Sequence, residues 1–307
     1  MGGVLVGFAV ILSVIGVGYL LGRLGIITPV GGVILGKVAF FAATPALLFT
    51  VMASADVGVI LSEITAVAAV SFLVAAALYL LASRLLFRRP LPETLVGMGA
   101  SGYVNANNIG LPVAVYVIGD AQYTVPVLLM QLLFFAPTLL ALLDFSTRGH
   151  VRVLDVLLMP VRNPLIIAVL AGVVVALLGI RLPEAVLAPF EILGGAAIPM
   201  VLMSFGASLR GERPLRPGSG RRDVLTATAI KSFVMPAVAW AFGAGVLHLD
   251  GHALFAAVVF AALPTAQNIF NFAQRYDRGV IISRDTVLLT TALSVPVMLG
   301  IAAVLAA

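Results

Sequence analysis

Ten stretches of mostly apolar residues, each about the length of a membrane-crossing helix, dominate this chain and fix the solvent in which it folds. A helix needs about 20 such residues to span the hydrocarbon core. Segments of that kind lie near 3–22, 33–53, 64–83, 94–118, 123–143, 164–180, 190–209, 224–247, 253–273 and 286–306. Apolar residues make up 62% of the chain and charged residues 10%, against about 45–50% and about 25% in soluble domains. No water-soluble fold of 307 residues hides that much apolar surface, so an all-α membrane protein is expected. A net charge of +5 would point to nucleic acid in a soluble protein. Here the charges sit in short loops between apolar runs, and no nucleic-acid partner is expected. No positively charged segment precedes the first run, Gly3 to Gly22, which is read as a span and not as a cleaved leader. The absence of cysteine removes disulfides and thiolate metal ligands.

The basic residues give the direction of the spans. With the N-terminus outside, inner loops hold Arg23, Arg84, Arg88, Arg89, Arg148, Arg152, Arg162, Arg210, Arg213, Arg216, Arg221, Arg222, Arg275, Arg278 and Arg284. Only Arg181 falls on an outer loop, and Lys37 and Lys231 lie inside spans. This asymmetry follows the positive-inside rule. Adding or dropping one span would scatter the arginines to both sides. The expectation is a multi-pass protein of the cell membrane with ten transmembrane helices and both termini outside.

The chain also repeats weakly. Pro45-Ala46-Leu47-Leu48 followed by Ala53-Ser54 returns as Pro199-Met200-Val201-Leu202 followed by Ala207-Ser208. Asn108-Ile109, then Tyr116 and Gly119, returns as Asn268-Ile269, then Tyr276 and Gly279. These matches divide the chain into a first five-helix half, 1–150, and a second, 151–307, joined by the polar stretch 144–163. Five is odd, so the second half would sit inverted in the membrane, as in many secondary transporters.

The fourth and ninth spans are the weakest by hydropathy. The fourth reads Gly102-Tyr103-Val104-Asn105-Ala106-Asn107-Asn108-Ile109-Gly110-Leu111-Pro112. Carboxamides cost several kcal/mol each in hydrocarbon if unpaired, and Gly110 with Pro112 weakens the helix. The ninth reads Leu263-Pro264-Thr265-Ala266-Gln267-Asn268-Ile269-Phe270-Asn271-Phe272, again a proline among amides. Both are expected to break at mid-membrane and turn freed backbone groups and amides toward a cavity. Paired interruptions in two halves point to a transporter's binding site, and helix ends at a break suit an anionic group. The plainer reading is that the asparagines only bond helix to helix.

All thirteen acidic residues lie in loops or near span ends, so no buried carboxylate relay is evident. His150, His248 and His252 fall in loops, leaving no basis for a metal, a cofactor or an enzymatic centre. Lys231 lies inside span eight, where it either attracts an anion, acts in coupling, or snorkels to the inner surface. Lys37, nearer its span's inner end, reads as a snorkelling residue. Asn163-Pro164 opens span six as a helix start and is also placed to line a cavity.

At these residues the chain resembles the auxin efflux carrier family, which includes bacterial malonate and malate transporters and the plant PIN carriers. The likeness is carried by 105–112, by Leu263-Pro264-Thr265 through Asn268 to Tyr276, and by Pro45-Ala46-Leu47-Leu48, Asn163-Pro164 and the Lys231 to Pro236 spacing. It implies two inverted five-helix repeats, with helices four and nine crossed at breaks near Pro112 and Pro264. It further implies a scaffold of helices 1, 2, 6 and 7, a possible homodimer through it, and a transport unit of helices 3–5 and 8–10 moving in an elevator-like way. By the same likeness Asn105 and Asn163 would contact a substrate carboxylate. The chain departs from many plant members in lacking a long central loop and in carrying the extra Asn107 and Asn108.

The reading from sequence is a secondary carrier of a small organic anion, a mono- or dicarboxylate. Asn105, Asn107, Asn108, Asn163, Gln267, Asn268 and Asn271 would form the site, with Gly110, Pro112, Pro264 and Thr265 at the helix breaks. Two alternatives share these features: a sodium-coupled symporter of the bile-acid-transporter-like fold, and a passive channel.

Overall fold

Lipid offers no hydrogen bonds, so each backbone group in the bilayer must find its partner within the protein. The described residues accordingly form helices, with one isolated antiparallel bridge, between Val104 and Thr265. This computed structural model describes residues 2–54, 63–151, 154, 158, 160–180, 182–209, 215 and 220–305. Asp56, Arg152, Asp155, Arg181, Arg210, Glu212, Arg213 and Arg216 lie outside them, including several arginines used to orient the spans.

In chain order the helices are α1 (Gly2–Arg23), α2 (Pro29–Ala53), α3 (Glu63–Phe87), α4 (Leu91–Gly102), α5 (Ala106–Ile118) and α6 (Ala121–Arg148). They continue with α7 (Pro164–Leu177), α8 (Glu184–Ser208), α9 (Arg221–Gly245), α10 (Gly251–Ala262), α11 (Gln267–Tyr276) and α12 (Val280–Leu305). Among the described residues seven are long and apolar enough to cross a membrane: α1, α2, α3, α6, α8, α9 and α12. The shorter apolar α7 covers the sixth expected span. The fourth and ninth expected spans are each two helices, α4 with α5 and α10 with α11, separated by a few extended residues. The outer surface is apolar: Ile192 and Val304 are each 76% exposed, and Leu170, Phe233 and Trp240 also face outward.

Prolines do not end these helices. Pro45, Pro112, Pro137 and Pro236 each follow a five-residue π turn that stops two residues earlier: Ala39–Ala43, Ala106–Gly110, Gln131–Phe135 and Ile230–Val234. The amide of the residue between donates to the carbonyl five positions back, as Leu111 does to Ala106. Proline lacks an N–H and its ring presses on the carbonyl four residues before it. One wide turn relieves both, and the helix runs on. The break expected near Pro112 is therefore elsewhere: Pro112 sits buried within α5, and the chain is interrupted at 103–105. Pro264 does lie in an interruption, between Ala262 and Gln267.

The helices pack in two groups. In the first, α1 and α2 lie against α8, and α2 also against α7. In the second, α3 packs on α4 and α9, α9 and α12 on α10, and α11 on α12. Between the groups the main contact is α5 on α1. Glycines bring α1 and α8 together. A methyl at Gly206 would overlap the Ile15 carbonyl, and one at Gly18 would overlap the backbone of Met203. Small residues at helix contacts substitute for hydrophobic drive, which lipid does not supply.

Two carboxylates are buried among the described residues, and both are paired near helix ends. Asp223 accepts two bonds from Arg89, from Nε at 2.9 Å and from Nη2 at 2.8 Å. Asp285 accepts from Arg284 Nε at 2.9 Å and from the Leu215 amide at 2.8 Å.

Overpacking a tight contact costs about 1–3 kcal/mol or more, so Gly206→Leu is expected to lower the melting temperature of detergent-purified protein by several degrees. Gly16→Leu, on the same α1 but with open space around it, should leave it unchanged. Equal melting of both variants would show that the seam tolerates separation.

Candidate functional site

The two interruptions meet. The Asn105 amide donates to the Pro264 carbonyl at 2.8 Å, and the Ala266 amide donates to the Tyr103 carbonyl at 2.9 Å. This short antiparallel pairing gives each broken segment the backbone partners it lost by leaving the helix. Side chains complete the set. Gln131 Nε2 donates to the Val104 carbonyl at 3.0 Å, and the Thr265 amide donates to Thr290 Oγ1 at 3.0 Å. Thr265 Oγ1 donates to the Ala100 carbonyl at 2.6 Å. Lys231 Nζ donates to the Ala261 carbonyl, at the C-terminal end of α10, at 2.7 Å. The Asn105, Thr265 and Ala266 amides and the Tyr103, Val104, Ala261 and Pro264 carbonyls thus bond to protein.

Beside the crossing lies a cavity of about 960 Å³, bounded by both helix groups. Asn105, Asn107, Asn108, Gln267, Asn268 and Asn271, six of the seven expected site residues, line it. They lie at the start of α5 and along α11, the two half-helices that begin where the breaks end. Asn105 is the N-cap of α5: its Oδ1 accepts the Asn108 amide at 3.1 Å. That bond fixes the carboxamide, and its Nδ2 has no protein partner among the described residues. Asn107 Nδ2 donates to Asn108 Oδ1 at 2.8 Å, while the buried Asn107 Oδ1 has no partner among the described residues. The first turn of α11 has no side-chain cap. Two helix N-termini, with their exposed amides and positive dipole ends, therefore begin beside one cavity. Thr28 and Ser208 line it at one end of the molecule, where α2 begins and α8 finishes, and no residue of the turns at 119–122 or 246–250 does.

The remaining expected residues have other places. Asn163 caps α7, with Oδ1 accepting the Leu165 amide at 2.9 Å, and does not line the cavity, although Leu165 does. Lys231 is fully buried and does not snorkel; its ammonium meets a helix C-terminus, where carbonyls are orphaned and the dipole end is negative. Thr265 is fully buried and pins the second break to α4 and α12. Gly110 is buried, with Leu263 and Phe260 packed over it.

Other lining residues escaped sequence reasoning. Gln131 is one, and its signal was plain: a lone amide in an apolar span. Tyr103, 1% exposed, also lines the cavity. Ser204 lines it from α8 while donating to the Gly32 carbonyl at 2.9 Å. Lys37 lines it too, on the α2 side.

Comparison with known proteins identifies the family of the chain. The family described as membrane transport protein matches residues 4–155 and 147–302. A probable auxin efflux carrier component 5c from Oryza sativa subsp. japonica is 31% identical over 150 residues, which is 47% of this chain and 40% of the rice protein. The matched stretch spans less than half the length of that relative. The chain belongs to the membrane transport protein family, that of the auxin efflux carriers.

Proposed function

We propose that the chain is a secondary carrier of a small organic anion, a mono- or dicarboxylate, across the cell membrane. The observation that carries this reading is the amide-lined cavity at the crossing of two broken helices. No carboxylate lines it among the described residues, and two helix N-termini begin there, so its donors suit an anion better than a cation. The unengaged Nδ2 of Asn105, held by the capping bond on the same side chain, is the leading donor to a substrate carboxylate.

In this reading the twelve helices make ten spans in two inverted halves, 1–150 and 151–307, with both termini outside. The group α1, α2, α7 and α8 is the scaffold, through which two copies pair, and the other group carries the substrate in an elevator-like movement. The cavity lies where the groups face each other, and its mouth at 22–29 and 207–208 is then cytoplasmic. The one-sided opening favours a carrier over a channel. A sodium site in the crossing is disfavoured because the Tyr103, Val104, Ala261 and Pro264 carbonyls already accept hydrogen bonds, one of them from an ammonium group.

Three outcomes are expected. In a thermal-shift screen of purified protein against organic acids, a stabilising acid should lose most of its effect on Asn105→Ala. An acid that stabilises parent and variant equally would place its site elsewhere. Tags on either terminus should be accessible in intact cells, and protection of both would reverse the orientation. Vesicle uptake should persist when potassium replaces sodium; sodium-dependent uptake would restore the symporter reading.

A further inference from the structure

Six of the seven amides lining the cavity lie on α5 and α11 and the seventh, Gln131, on α6, while the facing wall belongs to α1, α2, α7 and α8. On that facing wall stands Lys37, the one charged side chain among the described residues that line the cavity. It is exposed and has no ion-pair partner among the described residues. Lys37 is eight residues past Pro29, where α2 begins, which puts it roughly 12 Å along the helix from that end. A lysine at such a depth is costly unless it snorkels or is received by a wet cavity or an anion, and Lys37 lines a cavity. The cavity also has apolar walls, from Phe40, Leu132, Val201 and Phe205.

We propose that Lys37 binds a second carboxylate of the substrate, and so makes this carrier select dicarboxylates over monocarboxylates. One carboxylate sits at the α5 and α11 N-termini on the amides; the other meets the Lys37 ammonium; the short carbon linker lies along the apolar walls. This rests on the anion-carrier reading and adds the substrate class to it. A monocarboxylate would leave the ammonium without a counter-charge and forfeit a charge-assisted hydrogen bond, which distinguishes the two ligand types by charge alone.

The test uses the full-length protein in lipid vesicles, with succinate and its monomethyl ester, which differ by one charge, as probes. The parent should take up succinate at lower KM than the ester. Lys37→Gln should raise KM for succinate about tenfold, the scale of one hydrogen bond to a charged group, with little change in kcat, so that the preference disappears. Lys37→Arg should keep it. The Gln variant should melt with the parent, because the replaced side chain is exposed. Retention of the parent's preference by Lys37→Gln, or its loss in Lys37→Arg, would overturn the role of Lys37 and leave the carrier reading standing. A parent that prefers the ester would do the same. A parent that neither transports nor is stabilised by any organic anion would bring down both readings together.

Discussion

The pairing of two interrupted helices inside the membrane is the constraint on which the rest of this structure depends. A helix that stops at mid-membrane leaves amides and carbonyls with no water to receive them, at a cost of several kcal/mol for each group. Here the segments 103–105 and 264–266 satisfy each other through the Asn105–Pro264 and Ala266–Tyr103 bonds. Neither break is tenable without the other. The Gln131, Thr265, Thr290 and Lys231 side chains satisfy further backbone groups beside the breaks. Two helices can then begin at the same depth, and their amide-rich first turns are delivered to one cavity.

This arrangement gives the polar residues two separate duties. One set holds the break: Thr265 and Lys231 are wholly buried and spend their donors on carbonyls. The other set faces the cavity with donors and acceptors still free. Asn105 joins the two, since its Oδ1 caps α5 while its Nδ2 remains available. Asn163 has the same capping chemistry at α7 but does not line the cavity.

Much of this is legible in the sequence. Hydropathy located the helical segments, and the amide clusters of 105–108 and 267–271 pointed to the cavity. The position of the first break was not legible, because proline is a strong local signal whose effect a single π turn cancels. Pro112 looked like a helix breaker and lies within α5, whereas Val104, an unremarkable residue, lies in the gap. Lys37 and Lys231 were hard to place from sequence for a similar reason. A lysine's depth can be read from its position in a span, but which neighbour it faces depends on helix rotation and on long-range packing. Lys37 proved to face a cavity, and Lys231 a helix end some thirty residues further along the chain.

The glycine seam between α1 and α8 carries a consequence beyond holding two helices together. At Gly18 and Gly206 the two backbones approach so closely that not even a methyl group fits between them. Water cannot enter such a contact, and an ion crossing there would have to shed its hydration shell into a medium of low dielectric constant. The seam is therefore electrical insulation. A protein that opens a hydrated cavity within a bilayer holding a voltage must keep the remainder of its cross-section from leaking, and close-packed glycine does this without any gate.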